Sequence, residues 1–95
     1  MRRAAKIDAN HAEIVAALRK IGCKVQSLAA VGAGVPDLLV MRGFRLYLVE
    51  IKDGNKAPSA RKLTPEQVKW HQEWAGAPLV VVTSVEEALE ALRAV

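Results

Sequence analysis

Residues 35–52, VPDLLVMRGFRLYLVEIK, constrain this chain more than any other stretch. Leu38 to Met41 and Arg45 to Lys52 are strand-length apolar runs, and the pattern predicts an antiparallel hairpin with a tight turn at Arg42-Gly43. Their near-continuous hydrophobicity predicts burial on both faces, as in a sheet covered by helices on each side. Two carboxylates interrupt the pattern, Asp37 at the start of the first strand and Glu50 near the end of the second, and Lys52 follows two places later. An ionised group in such a setting costs several kcal/mol unless something compensates it.

The remaining elements are placed by periodicity and capping signals. A first helix begins near Asp8 or Asn10, either of which can cap it, and runs to about Ile21 before Gly22. Its apolar face is Ile7, Ile14, Val15, Leu18 and Ile21, and His11 on that face reads as a packed, neutral histidine. Cys23 to Val31 reads as a first strand, Gly32-Ala33-Gly34 as a turn, and Asp53 to Lys62 as a polar, mobile loop. Thr64, Pro65 and Gln67 form a capping box that opens a second helix, whose Trp70 and Trp74 are expected to pack on the sheet as core. Pro78 to Thr83 is a buried strand, and Ser84 with Glu87 opens a last helix reaching about Arg93 through a second capping box. The order α-β-β-β-α-β-α gives a single α/β domain, residues 1–95, with a sheet of about four strands flanked by helices.

Charge is unevenly distributed. Residues 1–70 hold 13 Lys or Arg against 6 Asp or Glu, whereas residues 71–95 hold 1 against 4. The basic excess therefore surrounds the acid pair, which suits a polyanionic partner, nucleic acid first; a surface kept basic for solubility is the alternative. A chain of 95 residues has room for one modest core, which makes a homodimer a reasonable expectation. Cys23 is the only cysteine, which excludes an internal disulfide and a zinc knuckle. No apolar run approaches the roughly 20 residues of a membrane span, and the opening MRRAAKIDAN lacks the apolar region of a secretory signal. A soluble, cytoplasmic protein with no membrane partner is expected.

Side chains alternate along a strand, so Glu50 and Lys52 project from one face, about 7 Å apart. The hairpin sets Asp37 opposite the end of the second strand, bringing two acids and one ammonium to one edge of the sheet. Two close carboxylates repel unless a cation sits between them. Two carboxylates, a backbone carbonyl (that of Ile51 is nearest) and water make an oxygen shell suited to Mg²⁺ or Mn²⁺. Such an ion acidifies bound water and neutralises phosphate charge, while Lys52 orients the water or stabilises the pentavalent transition state. Taken singly, a Pro-Asp at a strand start or a Glu-x-Lys ion pair signifies nothing. Their convergence on paired strands of buried type is what favours a metal site.

Pro36-Asp37 followed by Glu50-Ile51-Lys52 resembles the PD-(D/E)xK nuclease superfamily. More narrowly, GVPDLLV, LVEIKDG and LTPEQVKWHQEW in that order resemble the VRR-NUC group, from about Glu13 to Trp74. The resemblance implies a restriction-endonuclease-like core and metal-dependent cleavage of DNA. Asp37 and Glu50 would then be metal ligands and Lys52 the catalytic lysine. It further implies roles for Gln67 and for a first-helix glutamate, matched by Glu13. Compact members resemble Holliday junction resolvases and are expected to act as homodimers on branched DNA such as four-way junctions. Lys56, Arg61, Lys62 and Lys69, near the ExK strand, are the candidate DNA contacts. A nucleic-acid-binding module without chemistry, and a restriction-type or RNA nuclease, are the alternatives.

Overall fold

A computed structural model describes residues 8–93; Ile7, assigned to the first helix's apolar face, lies outside them. The elements are α1 (His11–Lys20), β1 (Lys24–Ser27), β2 (Leu38–Arg42), β3 (Arg45–Ile51), a 3₁₀ turn (Pro58–Arg61), α2 (Pro65–Glu73), β4 (Leu79–Val82) and α3 (Val85–Arg93). The four strands lie in sequence order, with β1–β2 and β2–β3 antiparallel and β3–β4 parallel. This is the mixed α/β sheet and element order that the sequence predicts. Among the described residues no helix is long and apolar enough to cross a membrane.

The β2–β3 hairpin closes on a two-residue loop, Gly43-Phe44, one residue later than the expected Arg42-Gly43 turn, because Arg42 stays in the ladder opposite Arg45. Gly43 has φ +59° and Phe44 a negative φ, the arrangement of a type II′ turn, which matches the right-handed twist of the strands. Alternation then sorts the strand residues. Leu38, Val40, Tyr47, Val49, Ile51 and Val82 join Ile14 and Leu18 of α1 and Ala88 and Leu92 of α3 in one buried cluster. At about 1.5–3 kcal/mol for each large side chain removed from water, this layer carries the fold.

The opposite face corrects one expectation. Met41, Leu46 and Val81 project there and remain 38, 54 and 45 % exposed. A near-continuous apolar run had predicted cover on both sides. On this side, however, the cover is the short α2, which buries none of its own residues completely. Trp70 and Trp74 are likewise not core: their rings stack on each other, 4.8 Å apart and 9° from parallel, and Trp74 is 53 % exposed.

Local chemistry explains most element boundaries. Thr64 and Gln67 form the expected reciprocal capping box. In α3 only half of the expected box forms: Ser84 Oγ accepts from the Glu87 N–H at 3.1 Å, while the Glu87 carboxylate reaches back to Thr83 N and Oγ1 instead. Asn10 stands at the start of α1 without making a cap bond. Its Nδ2 donates to the carbonyls of Lys52 (3.1 Å) and Thr83 (3.0 Å), pinning the helix to the ends of β3 and β4. β1 ends at Ser27, short of the expected Val31: one further in-register bond, Leu28 N–H to the Asp37 carbonyl at 2.7 Å, is followed by a turn closed by Val31 N–H on the Leu28 carbonyl. The segment read as a mobile loop contains the 3₁₀ turn and an Asx turn closed by Asp53.

Gly34 positions α2. It has φ +84°, and a Cβ there would run into the backbone carbonyl of Glu66 in the first helical turn. Gly34→Ala is therefore expected to destabilise the protein by about 1–3 kcal/mol. Urea unfolding checks this, and an unchanged midpoint contradicts the close approach.

Candidate active site

Glu50 and Lys52 alternate with buried Val49 and Ile51, so they project from the sheet face opposite α1 and α3. Leu38 pairs with Val49, and one step further along the register Asp37 stands opposite Glu50. The fully buried Pro36 precedes it. Asp37 Oδ2 accepts the Ile51 N–H at 2.7 Å, so the end of β3 is capped by the side chain that starts β2. The Ile51 carbonyl belongs to the next peptide of that same strand end. Hairpin pairing thus delivers both acids to one place.

The first turn of α2 completes the cluster. Gln67 Oε1 accepts from Lys52 Nζ at 2.7 Å and from Thr64 N–H at 2.9 Å, while Gln67 Nε2 donates to Glu50 Oε2 at 3.1 Å. Only this orientation of the amide satisfies all three partners. The residue is both the capping-box partner and a link between the strand acid and the strand lysine. Lys52 Nζ lies 4.0 Å from Glu50 Oε2, so the amide, rather than direct contact, couples the two.

Glu50 is 2 % exposed and its Oε1 is buried with no partner. Burial pushes its carboxyl up to about 8, helped by the neighbouring Asp37 carboxylate and by Asp8, and opposed by Lys52. His71, one helical turn beyond Gln67, is held below its ordinary range by burial and by the Lys52 charge. Among the described residues no three Asp, Glu, His or Cys side chains converge closely enough to hold a metal ion alone. An ion held by Asp37, Glu50 and a carbonyl would therefore keep several waters, as Mg²⁺ commonly does.

The other sequence candidates are placed as follows. Glu13 is exposed and lines a cavity of about 250 Å³ with Asn10, Asp53, Asn55, Thr83 and Ser84. Its charge is not among those acting on Glu50. The acid ahead of α1 that does act on Glu50 is Asp8, read from sequence only as a cap. Asp8 pairs with Lys56 at 3.3 Å, so Lys56 has an internal partner. Arg61 is half-buried, with Nε lacking a partner, and Lys62 and Lys69 are exposed. Two signals in the sequence bear on Asp8: its place just before α1, and a lysine three residues beyond Asp53 that can return to it.

This geometry can be compared with known proteins. A solved structure described as a VRR_NUC domain superposes with a TM-score of 0.65 at 25 % identity, covering 90 % of this chain and 97 % of its own. None of the curated proteins compared with the chain matches it. The family model of the archaeal Holliday junction resolvase (Hjc) matches residues 3–93, spanning both strand acids, the lysine and the helix that joins them. The chain belongs to the archaeal Holliday junction resolvase family, on the PD-(D/E)xK nuclease fold.

Proposed function

We propose that this protein is a Mg²⁺- or Mn²⁺-dependent endonuclease that cuts branched DNA, four-way junctions above all, and acts as a homodimer. The observation that carries the reading is the buried Glu50, with one carboxylate oxygen unpartnered beside Asp37 and a lysine held next to both. A buried, unpartnered carboxyl oxygen next to a second carboxylate fits a divalent cation, whose charge would displace the Glu50 proton. When bound, such an ion supplies charge neutralisation on the phosphate and acidification of a water molecule. Asp37 and Glu50 would hold it together with the Ile51 carbonyl.

The chain's own residues do the rest. Asp37 has its orientation set by the Ile51 N–H, which leaves its second oxygen to the site. Gln67 spends its oxygen on Lys52 and its NH₂ on Glu50, fixing both side chains before any substrate arrives. Lys52 keeps further N–H donors for the phosphoryl oxygens, the place of an electrostatic stabiliser. Exposed Lys62 and Lys69 neutralise flanking phosphates without reading sequence.

The homodimer reading rests on the uncovered sheet face. Met41, Leu46 and Val81 are large, apolar and exposed on the sheet, Trp74 is exposed at the end of α2, and a domain of this size gains stability by covering such side chains. A two-fold contact there would set two sites in fixed relation, as paired cuts across a junction require. Trp74→Glu is expected to shift sedimentation from dimer toward monomer and to uncouple the two cuts. A variant that stays dimeric and cuts in pairs contradicts this interface.

Cleavage itself is tested on a synthetic four-way junction, a linear duplex and an RNA duplex at equal concentration, in Mg²⁺, Mn²⁺ or EDTA. The expected outcome is metal-dependent cutting of the junction. Asp37→Ala and Glu50→Gln should lower the rate at least about a hundredfold, and Lys52→Ala by a similar factor. Binding without cutting in any metal identifies a non-catalytic module, and preference for RNA identifies a different nuclease.

Glu50 also gives a pH signature in the metal-free protein. Its folded-state pKa of about 8 lies above the unfolded value of about 4.5, so the native state binds the extra proton between these values. Its contribution is fully present below about pH 4.5 and is lost as pH rises to about 8. In EDTA, stability should fall across that window by on the order of 2–4 kcal/mol. Glu50→Gln should flatten the slope, and Mg²⁺ or Mn²⁺ should restore stability near pH 8. A slope identical in wild type and Glu50→Gln overturns the assignment.

A further inference from the structure

Phe44 occupies the second position of the Gly43-Phe44 turn and is fully exposed, at 107 % of its reference area. Polar residues ordinarily fill such a turn position, and Phe44 contributes nothing to the core. Arg42 and Arg45 flank it as the paired residues of the hairpin end. Lys24 lies on the neighbouring β1 opposite Met41, and α1 ends at the same side of the sheet with Arg19 and Lys20. No carboxylate occurs from Leu38 to Val49, and the acids of α3 line a separate cavity along β4. The hairpin end is therefore a basic surface with a bare aromatic ring at its tip, at the end of the sheet away from Asp37 and Glu50.

We infer that the β2–β3 hairpin tip is a second nucleic-acid contact, with Phe44 stacking on or between bases while Arg45, Lys24 and Lys20 take the flanking phosphates. The inference rests on the proposed DNA-cutting function and extends it to a surface outside the catalytic cluster. Every base offers a π-face, so a ring presented among cations binds unstacked nucleotides without sequence preference. A second protein copy fits the tip poorly, because a two-fold contact centred there would set these cations against their own equivalents. From Glu50 to Phe44 is six strand residues, about 20 Å. Measured along one DNA strand at about 3.4 Å per nucleotide, that is roughly six nucleotides from the cut.

The test uses the full chain and a four-way junction carrying 2-aminopurine at successive positions along one arm, in EDTA so that binding is read without cutting. With wild type, fluorescence should rise at a position about six nucleotides from the cleavage site, and with Phe44→Ala it should not. Phe44→Ala should weaken junction binding about tenfold. Its unfolding midpoint and dimer sedimentation should match wild type, since the ring touches nothing in the core. Arg45→Gln with Lys24→Gln should lower the salt slope of binding by about two. Unchanged affinity and fluorescence in a Phe44→Ala protein that still binds and cuts junctions overturns the hairpin contact alone. Dissociation of the dimer by Phe44→Ala also overturns it, by making the tip a protein contact. A wild-type chain that neither binds nor cuts branched DNA instead removes the function on which the inference rests.

Discussion

Everything in this site depends on a carboxylate with almost no access to water. Glu50 sits at the end of a central strand, walled by Asp37 on one side and by the first turn of α2 on the other. A core that needed only stability would place an apolar side chain there, since a lone buried charge costs more than any neutral hydrogen bond returns. The compensation found in the chain itself is partial. One oxygen receives the Gln67 amide, Lys52 approaches no closer than 4.0 Å, and the other oxygen is left without a partner. That residual deficit is what the divalent cation proposed for the site would make good.

The same constraint explains why α2 is tied so firmly at one end. Gln67 can bridge glutamate and lysine only if the helix begins at a fixed depth above the sheet. Three features set that depth: the Thr64 cap, the missing Cβ of Gly34 beneath Glu66, and the hydrogen bonds that Gln67 itself makes. None of them depends on burying the helix. α2 is therefore held by polar contacts at its start and leaves its tryptophans near the surface. Stability resides in the α1–α3 layer, and the opposite face is left to function.

That division decides what could be read from the sequence. The hairpin, the two acids and the lysine were legible because strand alternation and a glycine turn fix register almost without ambiguity, and register alone places Asp37 opposite Glu50. The capping box was legible as a local motif. Its second use, as the bridge between Glu50 and Lys52, was suggested by the inward aim of one helix face and required the tertiary approach of α2 to become specific. The cover of the second sheet face was misread. An apolar strand position looks the same whether a helix, a partner or solvent lies over it, so Met41, Leu46 and Val81 carried no mark of exposure. Glu13 and Asp8 were hard to rank for a related reason: helical spacing gives a face, but where the start of α1 sits against the sheet is fixed by the Asn10 bonds to the Lys52 and Thr83 carbonyls, a long-range contact with no local signature.

Charge then follows the two ends of the sheet. At one end acids converge, with Lys52 engaged by Gln67 and Lys56 by Asp8, while Lys62 and Lys69 stay exposed. At the other end cations gather around a turn with no acid in either strand. A polyanion that reaches both ends of the sheet would meet attraction at the hairpin tip and repulsion at the ionised acid pair. A cation held by the acid pair would lower that barrier and favour a phosphate beside Lys52. If the site takes the divalent ion proposed for it, substrate approach and ion occupancy would be coupled through net charge, and that coupling would weaken as salt screens the field.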